Sequence, residues 1–184
     1  TGSTGNLKYF PESPAGDASK QLVMAIRGMY MAELLPVTLD MEAKNMTISN
    51  YASLGESNQG KLIVRASGQT ARNMRKKTGT MNIMPQEFLE ADDLSAEDRN
   101  YLMGVYALAE KRFAKIFCNN LYHFAELLRV IKTHSAQMIE DVRTGTFSIE
   151  LSAKTRASLA GTFTAAPKRA EELFRIAEQN GGIL

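Results

Sequence analysis

The chain has 184 residues, 44% of them hydrophobic and 23% charged, with a formal net charge of +2. That makeup belongs to a globular chain able to bury a core in one domain or two small lobes. Apolar runs fall short of the ~20 residues of a membrane-spanning helix, and no signal-peptide pattern opens the sequence. The single cysteine, Cys118, excludes an internal disulfide, so the expected setting is a reducing one, cytoplasmic or nuclear, or a virion.

Residues 1–16 read as a flexible N-terminal arm, with Pro11, Pro14 and Gly16 opposing regular structure. Asp17 reads as the N-cap of a helix in which Leu22, Val23, Ile26, Met29, Tyr30 and Leu34 recur at helical spacing until Pro36. Gly28 in its middle predicts close packing against a neighbour. The β-branched stretches Met46–Ser49 and Lys61–Arg65 are expected to pair as a hairpin across the polar loop Ser53–Gly60, so that 17–66 forms an N-terminal lobe of helix plus hairpin. Residues 67–94 read as a charged, flexible connector with a short helix around Phe88 and Leu89, and 95–184 as a C-terminal helical lobe.

Ser95 and Asp98 form a capping pair that opens the longest periodic stretch of the chain, from Leu102 through Ile131 to Val142. That stretch exceeds an ordinary globular helix, so a break is expected near Asn119-Asn120 or near His134. Thr146–Leu151 alternates with the period of a strand, Ser152 caps a short helix to Leu159, and Pro167 opens a last helix that stops at Asn180-Gly181-Gly182. The fold class predicted is mainly α, two-lobed, with two or three short strands and a hairpin near 46–65.

Charge is distributed unevenly. Between Ser57 and Gln86 lie six bases (Lys61, Arg65, Arg72, Arg75, Lys76, Lys77) and no acid; between Glu87 and Asp98 lie six acids (Glu87, Glu90, Asp92, Asp93, Glu97, Asp98) and no base. A basic surface holds a polyanion, and an acidic one holds the basic face of a second copy. Lys111, Arg112 and Lys115 extend the basic surface along the polar face of the long helix. Lys168 and Arg169 open the final helix where its dipole disfavours cations, which calls for compensation by Glu171-Glu172 or by a partner.

Catalytic motifs are scarce. Gly55-Glu56-Ser57-Asn58-Gln59-Gly60-Lys61-Leu62 fits a phosphate-binding loop except at its last position, where Leu62 replaces the magnesium-holding hydroxyl. The flanks also lack the buried strand and following helix that such a loop needs, so a solvated hairpin loop is the better reading. His123, His134 and Cys118 lack the short spacings of metal ligands. No catalytic residue, metal or cofactor is therefore assigned.

The function that these observations predict is non-enzymatic: a self-assembling structural protein that binds RNA or an anionic membrane, in the manner of a viral nucleocapsid, coat or matrix protein. Lys61, Arg65, Arg72, Arg75, Lys76, Lys77, Lys111, Arg112 and Lys115 would contact the polyanion; Tyr9, Phe10, Glu90, Asp92 and Asp93 would join copies into a homo-oligomer; no small-molecule substrate is expected. The alternative is a monomeric helical adaptor whose acidic segment binds a basic protein.

Overall fold

A computed structural model describes residues 13–36, 40, 42–48, 53–60, 62–64, 81–118 and 120–183. The chain divides into a unit of residues 1–41 and a unit of residues 42–184. The first carries helix α1 (Pro14–Leu34). Ser13, not Asp17, is its N-cap, accepting a hydrogen bond from the Gly16 amide at 3.1 Å. Pro14 makes that start favourable, since its fixed φ suits the first helical position, where the missing N–H is not needed. Asp17 sits in the first turn and pairs with Lys20 at 3.6 Å. The helix ends at Leu34 ahead of Pro36, as predicted. No residue of α1 is buried, and a Cβ on Gly28 would meet nothing within 4 Å, so close packing does not account for that glycine.

The second unit is mainly helical. Its helices among the described residues are α2 (Gln86–Glu90), α3 (Ala96–Ala109), α4 (Leu121–Thr144), α5 (Ala153–Leu159) and α6 (Pro167–Asn180); its strands are β1 (Lys44–Ile48), β2 (Ser53–Glu56), β3 (Leu62–Val64) and β4 (Phe113–Cys118). A hairpin does form, but from β2 and β3, antiparallel across a turn that begins at Ser57. β1, expected in that hairpin, instead runs parallel to β4, Met46 beside Ile116 and Ile48 beside Cys118. A single bridge continues the ribbon beyond β1, where the Ile83 amide donates to the Asn45 carbonyl at 2.9 Å.

The predicted long helix is interrupted twice. Ser95 caps α3 through the Asp98 amide (3.1 Å), α3 ends at Ala109, and Asn120 caps α4 through the Tyr122 amide (2.9 Å). Between them lies β4, which the apolar pattern had placed in the helix. The cause is a register shift: one step of β1 from Lys44 to Asn45 matches two steps of β4 from Phe113 to Lys115. The extra residue, Ala114, reverses the alternation, so the core-packing side chains are Phe113, Ile116 and Cys118. The gap from Phe113 to Ile116 has the i, i+3 spacing of a helix. The second interruption is a kink inside α4 at His134.

The core is the crossing of α3 and α4 with α6 beside it, and Tyr101, Leu102, Val105, Leu127, Val130, Met138, Val142 and Leu173 lie inside. Gly104 marks the closest approach: a Cβ there would stand 2.9 Å from the Met138 Sδ and 3.0 Å from Ile131. Beside it Asp141 is fully buried. Its carboxylate accepts hydrogen bonds from the Tyr101 hydroxyl (2.8 Å), the Ser148 amide (3.0 and 3.1 Å) and the Ser148 hydroxyl. Burial first, and then the Asp141 carboxylate, hold the Tyr101 phenol well above its ordinary pKa. These bonds draw Thr146–Leu151, predicted as a strand, into an irregular strap.

The remaining ends follow the sequence signals. Ser152 caps α5 through the Thr155 amide (3.1 Å), Pro167 opens α6, and Gly145 and Gly181 end α4 and α6 with left-handed backbone. Arg99 donates to the carbonyls of Ala91 (2.7 Å) and Phe88 (3.4 Å), closing the end of α2 onto α3.

Asp141→Asn, which turns one acceptor oxygen into a donor facing donors, is expected to lower the unfolding free energy by about 2 kcal/mol in urea denaturation. Gly145→Ala should cost about the same, because φ is +73° and the new Cβ would lie 2.4 Å from the Ala165 amide nitrogen.

Candidate functional site

β1 and β4 run parallel, and their carboxyl ends, Ile48 and Cys118, lie side by side. Ligands of α/β units collect at that end, where a strand passes into a helix N-terminus. Here β4 passes into α4 within a few residues. Cys118 donates its thiol hydrogen to the Asn120 carbonyl (2.7 Å), the Asn120 side chain holds the Tyr122 amide, and the His123 amide reaches the Asn120 carbonyl at 3.0 Å. No acid occupies the first turn of α4, so the positive end of its dipole is not offset there. Leu121 is 80% and Tyr122 64% exposed, large apolar surface beside a polar helix start. The His123 ring lies edge-on to Tyr122, with centroids 5.7 Å apart. An electropositive helix end flanked by apolar side chains suits a ligand with an anionic head and an apolar body.

Two clefts compete less well. One of about 520 Å³ lies between α4 and α6, lined by Ala136, Ile139, Ala170 and Phe174, and the charges on its rim include the pair Glu140–Arg143. Another of about 350 Å³ is lined by Asn82, Tyr106, Glu110 and Thr162. Four of its polar side chains already bond one another or nearby backbone: Tyr106 to Thr162 at 2.8 Å, Asn82 to the Met84 amide at 3.0 Å, and Glu110 to the Arg112 amide at 2.9 Å. Burial pushes the Tyr106 phenol up to about 12.

The residues predicted from the sequence to bind a polyanion or to join copies fall into two groups. Tyr9, Phe10, Lys61, Arg65, Arg72, Arg75, Lys76 and Lys77 lie outside the described residues. The others have partners within this chain. Lys111 pairs with Glu172 (2.5 Å), Arg112 with Glu42, and Lys115 lies over the Phe117 ring at 5.4 Å. Glu90 accepts from Gln86 at 2.5 Å, Asp92 pairs with Lys154 (2.8 Å), and Asp93 accepts from the hydroxyls of Ser152 and Thr155. Arg169, at the start of α6, is compensated by Glu172 (3.2 Å) and donates to the Leu108 carbonyl (2.8 Å). The near-match to a phosphate-binding loop is a hairpin turn, closed by the Gly60 amide on the Ser57 carbonyl at 2.9 Å.

The sequence model of the GH3 family N-terminal domain matches residues 1–184. The chain belongs to the GH3 family. Among solved structures it is similar to the GH3.15 acyl acid amido synthetase, at 14% identity and a TM-score of 0.61, over 91% of this chain and 30% of that one. It is likewise similar to the AtGH3.15 acyl acid amido synthetase in complex with 2,4-DB, at 14% identity and a TM-score of 0.67, over 96% of this chain and 31% of that one. At such identity the likeness is one of fold, and this GH3 chain spans less than a third of those chains. No curated protein matches it.

Family membership overturns the reading of a non-enzymatic, self-assembling nucleocapsid, coat or matrix protein, and with it the adaptor alternative. It also overturns the expected partners. A solved relative holds a small molecule, where the sequence reading had no small-molecule substrate and relied on RNA, an anionic membrane and further copies of the chain. The physical reason is visible in the contacts above: Lys111, Arg112, Lys115, Glu90, Asp92 and Asp93, which looked available for partners, are engaged within the chain. Among the described residues no helix is long and apolar enough to cross a membrane. The exposed Leu121-Tyr122 pair carried a signal that the reading missed, two large apolar residues immediately after the helix-capping Asn120.

The Asp93 contact generates a pH test. Hydrogen bonds from Ser152 and Thr155 hold the Asp93 carboxyl below its ordinary value of 3.8, so its contribution is present above that value and is lost as pH falls through the lower folded one. The difference in melting temperature between the native chain and Asp93→Asn should therefore be largest at neutral pH and shrink on acidification below 3.8; a difference independent of pH would contradict the assignment.

Proposed function

We propose that this chain is the N-terminal part of an acyl acid amido synthetase and that the β4–α4 junction takes part in holding the acyl acid. The observation that carries this reading is the match of the GH3 family along all 184 residues, with support from the fold of two acyl acid amido synthetases. The chemistry of the junction agrees with it. An acyl acid is a carboxylate on an apolar body; the carboxylate suits the amides and dipole of the α4 start, and the body suits Leu121 and Tyr122. Joining an acid to an amine requires the carboxyl to be activated, since its own oxygen is a poor leaving group. In this reading groups elsewhere in the full protein supply the activation and the amine, and this chain contributes orientation of the acid.

Amide chemical shifts read this directly. Phenylbutyrate should perturb residues 121–124, whereas its methyl ester, lacking the charge, should not. Tyr122→Ala should raise the dissociation constant roughly five-fold, corresponding to about 1 kcal/mol of apolar contact. Equal perturbation by acid and ester, or none by either, would remove the junction from the reading.

A further inference from the structure

Helix α4 carries the candidate site at one end and the buried Asp141 near the other, and it is not straight between them. At His134 the backbone leaves the helical region, with φ −112° and ψ 15°. Those angles lie near the sparsely populated bridge region, although Leu121–Thr144 contains neither proline nor glycine. A local cause adjoins it. The Thr133 hydroxyl donates to the Arg129 carbonyl at 2.9 Å, a side-chain bond to the preceding turn of the type that bends helices. At the kink the His134 ring lies edge-to-face on the Tyr101 ring, with centroids 5.8 Å apart and planes at 72°.

Tyr101 therefore holds α4 in two places. Its hydroxyl binds Asp141 beyond the kink, and its ring meets His134 at the kink itself. The half beyond the kink is locked, with Met138, Asp141 and Val142 buried and Gly145 pressed against Ala165. The half before it buries Leu127, Val130 and Ile131 and ends at exposed Leu121 and Tyr122.

We propose that His134 is a positioning residue: its contact with Tyr101 fixes the angle between residues 121–133 and the locked half of α4, and thereby places the α4 N-terminus against the end of β4. The inference rests on the reading of that terminus as an acyl-acid site. Its role is steric and aromatic, so a phenyl ring should replace the imidazole.

Two readouts on the 184-residue chain test it: the affinity for phenylbutyrate, and residual dipolar couplings that give the angle between residues 121–133 and 136–144. His134→Leu should change the angle and weaken phenylbutyrate about ten-fold, while His134→Phe keeps the native angle and stays within about two-fold of native affinity. His134→Gln, which also lacks a ring but is close in size, repeats the test if the leucine variant does not fold. An unchanged angle in the ringless variants, or a changed angle with unchanged affinity, would overturn the role of His134. If the native chain binds the acid no better than its methyl ester, the site reading fails instead, and the dipolar couplings still decide whether His134 sets the angle.

Discussion

A carboxylate removed from water must find donors within the fold, because an ion left unmatched in the interior is far more costly than any one apolar contact is favourable. Asp141 meets this constraint with one phenol and one serine, and the rest of the second unit is arranged around the solution. Tyr101 must stand on the face of α3 that looks at α4. Gly104, three residues on, lets the two helices approach closely enough for that reach. Ser148 must come to the same carboxylate, which bends the chain after Gly145 into a strap. The strap brings Phe147 to the aromatic group of Tyr106 and Phe163, where it stacks on Phe163 with centroids 5.3 Å apart. One buried charge thus links α3, α4 and the segment leading to α5.

The charged surface follows a different logic. Asp92 and Asp93 leave α2 and reach Ser152, Lys154 and Thr155, about sixty residues further on, tying α2 to the start of α5. Lys111 and Arg169 converge on Glu172, whose carboxyl they hold below its ordinary value, and this joins the end of α3 to α6. These contacts are exposed, and each is individually weak. What they alter is interpretation: Lys111, Asp92 and Asp93, counted along the sequence as surfaces for outside partners, lie at seams between this chain's own helices.

Function was the part least legible beforehand. Among the described residues no group of His, Cys, Asp or Glu could hold a metal ion, and the charge blocks drew attention toward polyanions. The candidate site rests on backbone amides, one capping asparagine and two exposed apolar side chains. Such a site has no residue signature. It depends on β4 being a strand, and the Ala114 bulge gave β4 the apolar spacing of a helix.

What the amino-acid order settled by itself is what short-range physics decides. Ser95 and Ser152 as caps, Pro167 at a helix start, Gly145 and Gly181 at helix ends, the stop before Pro36, the break near Asn120 and the mainly helical class all depend on residues within a turn of one another. Tertiary structure decided the rest: the parallel partner of β1 some seventy residues away, the conversion of the strand-patterned 146–151 into a strap, and the pairing of Asp92 and Asp93 with α5. Periodicity records which side chains face inward, but not which distant group completes a hydrogen bond or a charge, and those completions determined where the chain turns and which surface remains for a ligand.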